Sequence, residues 1–287
     1  MKLLARTFAA VVTCATVAVP LVAAQAPPAA AAPTWAPAAT APIHPGVQTV
    51  TAGGQCTANF VFFDASNTVY IGQAAHCSGT GGNTATNGCT SGSMPLGTPV
   101  QVGGASQPGT MVYNSWLAMQ AAGETNPDTC AFNDLALVRL NPADFAKVDP
   151  SIPFWGGPNG IDTNGTVQGE NVYSYGNSSL RGGVTQLSPK QGVSLGDAGN
   201  SWSHNVYTAS PGIPGDSGSA FLNSAGAALG VLSTVQIAPV AGSNGVGDVS
   251  REINYMSSHS SLGAQLANGT QPFSPNIAAN LLAALGL

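Results

Sequence analysis

The chain has 287 residues, with 7 Lys+Arg against 12 Asp+Glu, only 7% charged residues and 36 glycines. This acidic balance argues against nucleic acid and anionic membrane surfaces as partners. So few charges among so many glycines suit a rigid, loop-rich exported β protein better than a cytosolic enzyme.

In chain order, Lys2 and Arg6 give a positive start, and the stretch from Thr7 to Ala24 is uncharged, mostly apolar, and ends in Val22, Ala23 and Ala24. That is the layout of a secretory signal peptide over residues 1–24, and it implies an extracellular protein. The rival reading is a membrane anchor, since about 18 apolar residues is the lower limit for a span. Pro20 and the small residues behind it favour cleavage, and Cys14 is discarded with the rest of the run. Without the signal, five Lys+Arg face twelve Asp+Glu, a net charge near −7, and nothing remains to hold the chain to a membrane.

Residues 25–45 are almost only Ala, Pro and Thr, and read as a linker or propeptide. The remainder, residues 46–287, is long enough for one large all-β domain or two small ones. Strand-like runs follow at Thr57–Phe63, Thr68–Gly72, Leu135–Leu140, Asn171–Tyr175, Ser219–Leu222 and Ala228–Val235, separated by Gly, Asn and Ser clusters. Asn223–Gly226 joins the last two as a hairpin turn. No segment before residue 248 has a 3.6-residue apolar period. Beyond it, Asp248 caps a predicted helix from Val249 to about Ser258, and Asn276 caps another over Ile277–Leu285. Many short strands with frequent turns predict a β-sandwich or barrel rather than βαβ units.

Four cysteines remain after the signal: Cys56, Cys77, Cys89 and Cys130. An even number in an exported chain reads as two disulfides, with three possible connectivities. No C-x-x-C pair occurs, so the residues offer no zinc or other metal site.

Three strings carry the chemistry: Ala74-Ala75-His76-Cys77, Asn133-Asp134-Leu135-Ala136-Leu137 and Gly215-Asp216-Ser217-Gly218-Ser219. Each alone is commonplace, because Gly-Asp-Ser-Gly suits any turn and a histidine beside a strand is more often structural than catalytic. Together, in this order, they resemble the trypsin/chymotrypsin-like serine peptidases, nearest the bacterial secreted members. The resemblance runs from about Gln55 to Val235. The α/β-hydrolases are excluded, since they need G-x-S-x-G and the order Ser, acid, His, whereas position 219 is Ser and His precedes Asp precedes Ser.

The resemblance implies an all-β, chymotrypsin-like fold of two six-stranded barrels with a short C-terminal helix, the barrels meeting near residues 150–165. It implies a serine endopeptidase, probing protein or peptide substrates as a monomer with no cofactor. Ser217 is then the nucleophile, because a hydroxyl needs a neighbouring base near neutral pH. His76 is base then acid, and Asp134 orients it and stabilises its charged form. The N–H groups of Gly215 and Ser217 form the oxyanion hole. Asp216 is expected to pair with a freed amino terminus or another cation. Ile43 and Val47 are candidates for that terminus by location only. The resemblance also pairs Cys56 with Cys77, leaving Cys89 with Cys130, although sequence alone leaves Cys77–Cys89 open.

For specificity, the aspartate that binds Lys or Arg in trypsin-like members corresponds to Pro211, and no acid lies between Asp197 and Asp216. Ser233, Thr234 and Val235 fall where the family carries Ser-Trp-Gly, so Ser233 is expected to bind substrate backbone and Val235 to narrow the pocket. Asp197 or Asp248 folding back into the pocket remains open on sequence. His44, His204 and His259 read as surface or structural residues. Two other functions share these features: a non-catalytic binding or adhesion protein on the same fold, and an esterase using the same triad.

Overall fold

The computed structural model describes residues 33–82 and 86–284. The candidate signal peptide and residues 25–32 of the linker lie outside them. The amino-terminal half contributes β1 (Gln48–Thr51), β2 (Gly54–Thr57), β3 (Val61–Phe63), β4 (Val69–Ala74), β5 (Pro99–Val102), β6 (Gly109–Asn114) and β7 (Leu135–Arg139). The carboxy-terminal half contributes β8 (Asn171–Tyr175), β9 (Pro189–Ala198), β10 (Ser203–Thr208), β11 (Ala220–Leu222), β12 (Ala228–Gln236) and β13 (Ser243–Asp248). A last short strand, β14 (Gln265–Leu266), returns to the first half and pairs with β3.

The second half closes into a six-stranded barrel in the order β10-β13-β12-β11-β8-β9, as the resemblance implies. It is filled by Val172, Val206, Phe221, Leu229, Leu232 and Val246, a core narrow enough for side chains alone to occupy. The first half is an eight-stranded sheet, β14-β3-β4-β7-β6-β5-β1-β2. The β1–β2 hairpin extends one end of it, and β14 covers the edge of β3 at the other.

Among the described residues, two α-helices precede residue 248, where apolar periodicity gives none. These are α1 (Ser115–Ala122) and α2 (Pro127–Phe132). The α1 sequence SWLAMQAA is apolar nearly all round, so no stripe stands out. Its ends carry the local instruction instead: the Asn114 side chain accepts from the N–H groups of Trp116 and Leu117, and Gly123 closes the helix in the left-handed region. Asn126 and Pro127 do the same for the start of α2. The predicted carboxy-terminal helices are present as α3 (Val249–His259), capped by the Asp248 side chain, and α4 (Ile277–Ala284).

The described part of the Ala/Pro-rich stretch packs onto the first sheet. Ile43 is fully buried and bridges Val148 in parallel, and Trp35 meets Phe63 edge-on at 6.1 Å. Composition points the other way because it counts alanines and prolines and misses two large apolar anchors. Both disulfides form as the resemblance implies, Cys56–Cys77 and Cys89–Cys130.

Candidate active site

Strand register brings the first two residues of the site together. Ala74, the last residue of β4, pairs with Leu135, the first of β7. The next residues out must then also face each other, and the N–H of Ala75 donates to the carbonyl of Asp134 at 2.8 Å. Beyond this point the chain turns into a short 3-10 segment, Ala75–Ser78, which carries His76 over Asp134. The backbone N–H of His76 donates to Asp134 Oδ1 at 2.8 Å, and His76 Nδ1 lies 2.6 Å from Asp134 Oδ2.

Asp134 is 3% exposed and accepts a third hydrogen bond, from Ser233 Oγ at 2.6 Å. Three contacts thus converge on one buried carboxylate and fix its orientation. Burial pushes the His76 imidazole down, but the charge and hydrogen bond of Asp134 outweigh it and hold the group above its ordinary value. Ser233 was expected to meet substrate backbone. Its hydroxyl is committed to Asp134, which leaves its backbone for that task. A register shift between Leu232 and Thr234 takes Ser233 out of the β12–β13 ladder and turns it to Asp134.

The third residue comes from the other half. Ser217 lies in the loop before β11, and its carbonyl accepts from the N–H of Thr57 in β2 at 2.8 Å, tying the loop to the first sheet. Gly218 sits at the tightest point of this seam, at φ +88°, where a Cβ would stand 2.5 Å from the Thr57 carbonyl oxygen. No larger residue fits. His76, Asp134, Gly215, Ser217 and Ser233 all line one cleft of about 630 Å³ between the halves. Among the described residues, Ser217 Oγ makes no hydrogen bond to His76.

Gly215 and Ser217, the oxyanion candidates, both line the cleft. Neither the Gly215 nor the Ser217 N–H donates to another group among the described residues. The Gly215 carbonyl is held by Thr57 Oγ1 at 2.8 Å and Gln55 Nε2 at 2.9 Å.

Asp216, fully buried, has the partners that its motif leaves unnamed. Its Oδ2 lies 2.6 Å from Arg181 Nη2 and 3.0 Å from Lys190 Nζ, and it accepts from the N–H groups of Ser178 and Ile213. Burial pushes the Lys190 ammonium down, the Asp216 charge holds it up, and the net lies below the ordinary lysine value. Arg181 and Lys190 thus stand where a freed amino terminus was the alternative, and Ile43 is instead bridged to Val148.

Of the specificity candidates, Thr234 and Val235 line the cleft with Ser233, and Pro211 does not. The Pro211 carbonyl accepts from Arg181 Nη2 and faces Lys190 Nζ, and Ile213 and Pro214 take its place on the wall. Asp197 and Asp248 do not fold back into the cleft. They hold the buried His204 between them, at 2.7 Å and 3.1 Å. Burial disfavours the His204 cation, yet the two carboxylates raise it above its ordinary value. Cys56, His76 and Cys77 lie close enough to share an ion, but the two sulfurs are bonded to each other and offer no thiolate.

No protein-family model and no curated protein matches the chain. Among solved structures it is similar to Thermobifida fusca protease A, with 18% identity, 79% of this chain and 99% of the other covered, and a TM-score of 0.49. It is similar to Nocardiopsis protease at 18% identity, 78% and 98% coverage and a TM-score of 0.47. Cellulomonas bogoriensis chymotrypsin follows at 16%, 78% and 98%, with a TM-score of 0.45.

Proposed function

We propose that the protein is a secreted serine endopeptidase that cleaves peptide bonds through an acyl-enzyme on Ser217. The observation that carries this reading is the hydrogen-bonded line Ser233–Asp134–His76, which shares a cleft with Ser217 and two open backbone N–H groups. His76 Nδ1 is bonded to Asp134, so Nε2 is the nitrogen left to take a proton. In the reaction Ser217 Oγ attacks the scissile carbonyl as its proton passes to Nε2. The new C–O bond leaves negative charge on the former carbonyl oxygen, which the N–H groups of Gly215 and Ser217 receive. Collapse expels the amine, which takes the proton back from His76, and water then repeats the sequence to free the acid. The Ser217–His76 hydrogen bond forms as substrate binds, since such contacts often tighten only in the complex.

For the residue before the cleaved bond we propose small or medium apolar side chains. Arg181 and Lys190 place two cations on one carboxylate directly behind the Pro211 segment. An incoming Lys or Arg would be desolvated near surplus positive charge, with no acid to meet it.

A fluorophosphonate probe on the secreted protein tests the assignment. Labelling that Ser217→Ala abolishes supports it, and labelling elsewhere or none overturns it. Digestion of a peptide library then separates a peptidase from an esterase using the same acyl chemistry.

A further inference from the structure

The two candidate oxyanion donors belong to trans peptides, because the cis peptide bonds are Gly157–Pro158 and Ala238–Pro239. A trans peptide points its C=O and N–H in opposite directions, so whatever holds the carbonyl also aims the N–H. For the peptide between Asp216 and Ser217 the hold is local. The Asp216 carbonyl accepts from Ser219 Oγ at 2.5 Å and from Ser219 N at 3.0 Å, within one turn.

For the peptide between Pro214 and Gly215 the hold comes from elsewhere. The Pro214 carbonyl accepts from Ser178 Oγ at 2.6 Å, across 36 residues of sequence. Ser178 ends the segment after β8 and caps a 3-10 turn, its Oγ accepting from the N–H of Leu180. It is 3% exposed, and its own N–H donates to Asp216 Oδ1 at 3.0 Å. Its hydroxyl therefore has one proton with one destination. Gly215 itself, at φ +95°, has the freedom to turn over, and proline before it contributes no N–H to the turn.

We propose that Ser178 is a positioning residue for the oxyanion site, its hydroxyl holding the Pro214–Gly215 peptide so that the Gly215 N–H faces the cleft. This rests on the reading of Ser217 as nucleophile. With the hydroxyl gone, the peptide is free to rotate, and a rotated peptide presents a carbonyl oxygen where the transition state needs a donor. The loss falls on the chemical step, because the ground-state carbonyl asks less of that donor than the oxyanion does.

The test is Ser178→Ala, which removes one oxygen and leaves the backbone alone. We expect kcat to fall about 100-fold, as for loss of one oxyanion donor, with KM within about threefold. Affinity for a peptide aldehyde, which forms a tetrahedral adduct, should fall by a similar factor. A kcat within about threefold of wild type, or equal losses in kcat and in binding of a non-covalent product peptide, overturns the proposal. A crystal structure of the same variant gives a readout free of activity. A Pro214 carbonyl that turns from its original direction supports it, and one that stays put with the Gly215 N–H still facing the cleft overturns it. Failure of the underlying reading looks different, since wild-type protein would then show no hydrolysis that Ser217→Ala removes.

Discussion

Asp216 pairs with two cations at once, and replacing it with asparagine makes that pairing measurable. Its carboxylate, fully buried, is the anion that Arg181 and Lys190 share. Asparagine keeps the size but aims an amide at two cations. Removing one partner of a buried pair costs about 3–5 kcal/mol. The second cation would add to this, except that Lys190 already sits below its ordinary value of 10.5 and can shed its proton once the anion is gone. The expected loss is therefore about 3–5 kcal/mol, or a fall of about 10–15 °C in Tm for a domain of this size. Lys190→Met gives the contrast. It removes the surplus cation from a fully buried site and leaves Asp216 paired with Arg181, so stability should change by no more than about 1 kcal/mol. The pH dependence has a sign as well. Folded Lys190 releases its proton at a lower pH than unfolded Lys190 does, so wild type gains stability relative to Lys190→Met as pH rises toward 10.5. Urea and thermal unfolding of both variants and the double mutant decide the matter. If Lys190→Met lost as much as Asp216→Asn, the lysine would be a required partner rather than a surplus charge, and this reasoning would be wrong.

Ser217→Ala, His76→Ala and Asp134→Asn should each lose most hydrolytic activity without unfolding the protein, and combining them should cost little beyond the worst single change; steady-state rates and melting curves check both halves. Because His76 must be neutral to act as a base and is held above its ordinary 6.5, kcat/KM should fall with an acid limb centred above that value. Glu252 on α3 is fully buried and accepts the Asp134 N–H at 2.8 Å, and burial pushes its carboxyl well above the ordinary value, favouring the neutral form. Glu252→Gln should then leave the acid limb in place, and a limb moved downward would show that Glu252 carries charge. Substrates differing only at the residue before the cleaved bond should be used in the order Ala or Leu ahead of Phe, with Arg last, and a preference for Arg would overturn the account of the pocket.

What the sequence makes legible is local. His76 and Asp134 stand beside the ends of two apolar strands, and antiparallel pairing from Ala74 to Leu135 is enough to bring them together. Ser217 is announced by its glycines, and Gly218 turns out to be required by a backbone from the other half. The partners that complete the site are long-range and leave no such trace. Arg181 and Lys190 are two of only five Lys and Arg residues beyond residue 24, a scarcity that hints at employment but names no partner. Ser178 and Glu252 look like any serine after Gly-Asn and any acid in a helix's first turn. Pro211 fails as a cleft residue for the same reason, because counting back from Ser217 does not reveal that its carbonyl faces two buried cations. The α1 helix escapes because periodicity vanishes when nearly every residue is apolar, although its Asn114 and Gly123 caps were there to be read.

The seam between the halves also sets a timetable. His76 and Asp134 leave the ribosome early, but the hydroxyl that steadies Asp134 comes 99 residues later, and the helix carrying Glu252 comes 118 residues later. Until then the nascent chain has a histidine and an acid but no assembled nucleophile, no aimed backbone donors and no closed cleft. On the proposed reading, hydrolytic power arrives in one step near the end of synthesis rather than growing with the chain. If the proposed secreted peptidase is exported before it folds, it would cross the cell as harmless cargo and become a protease only where its last third can settle onto its first.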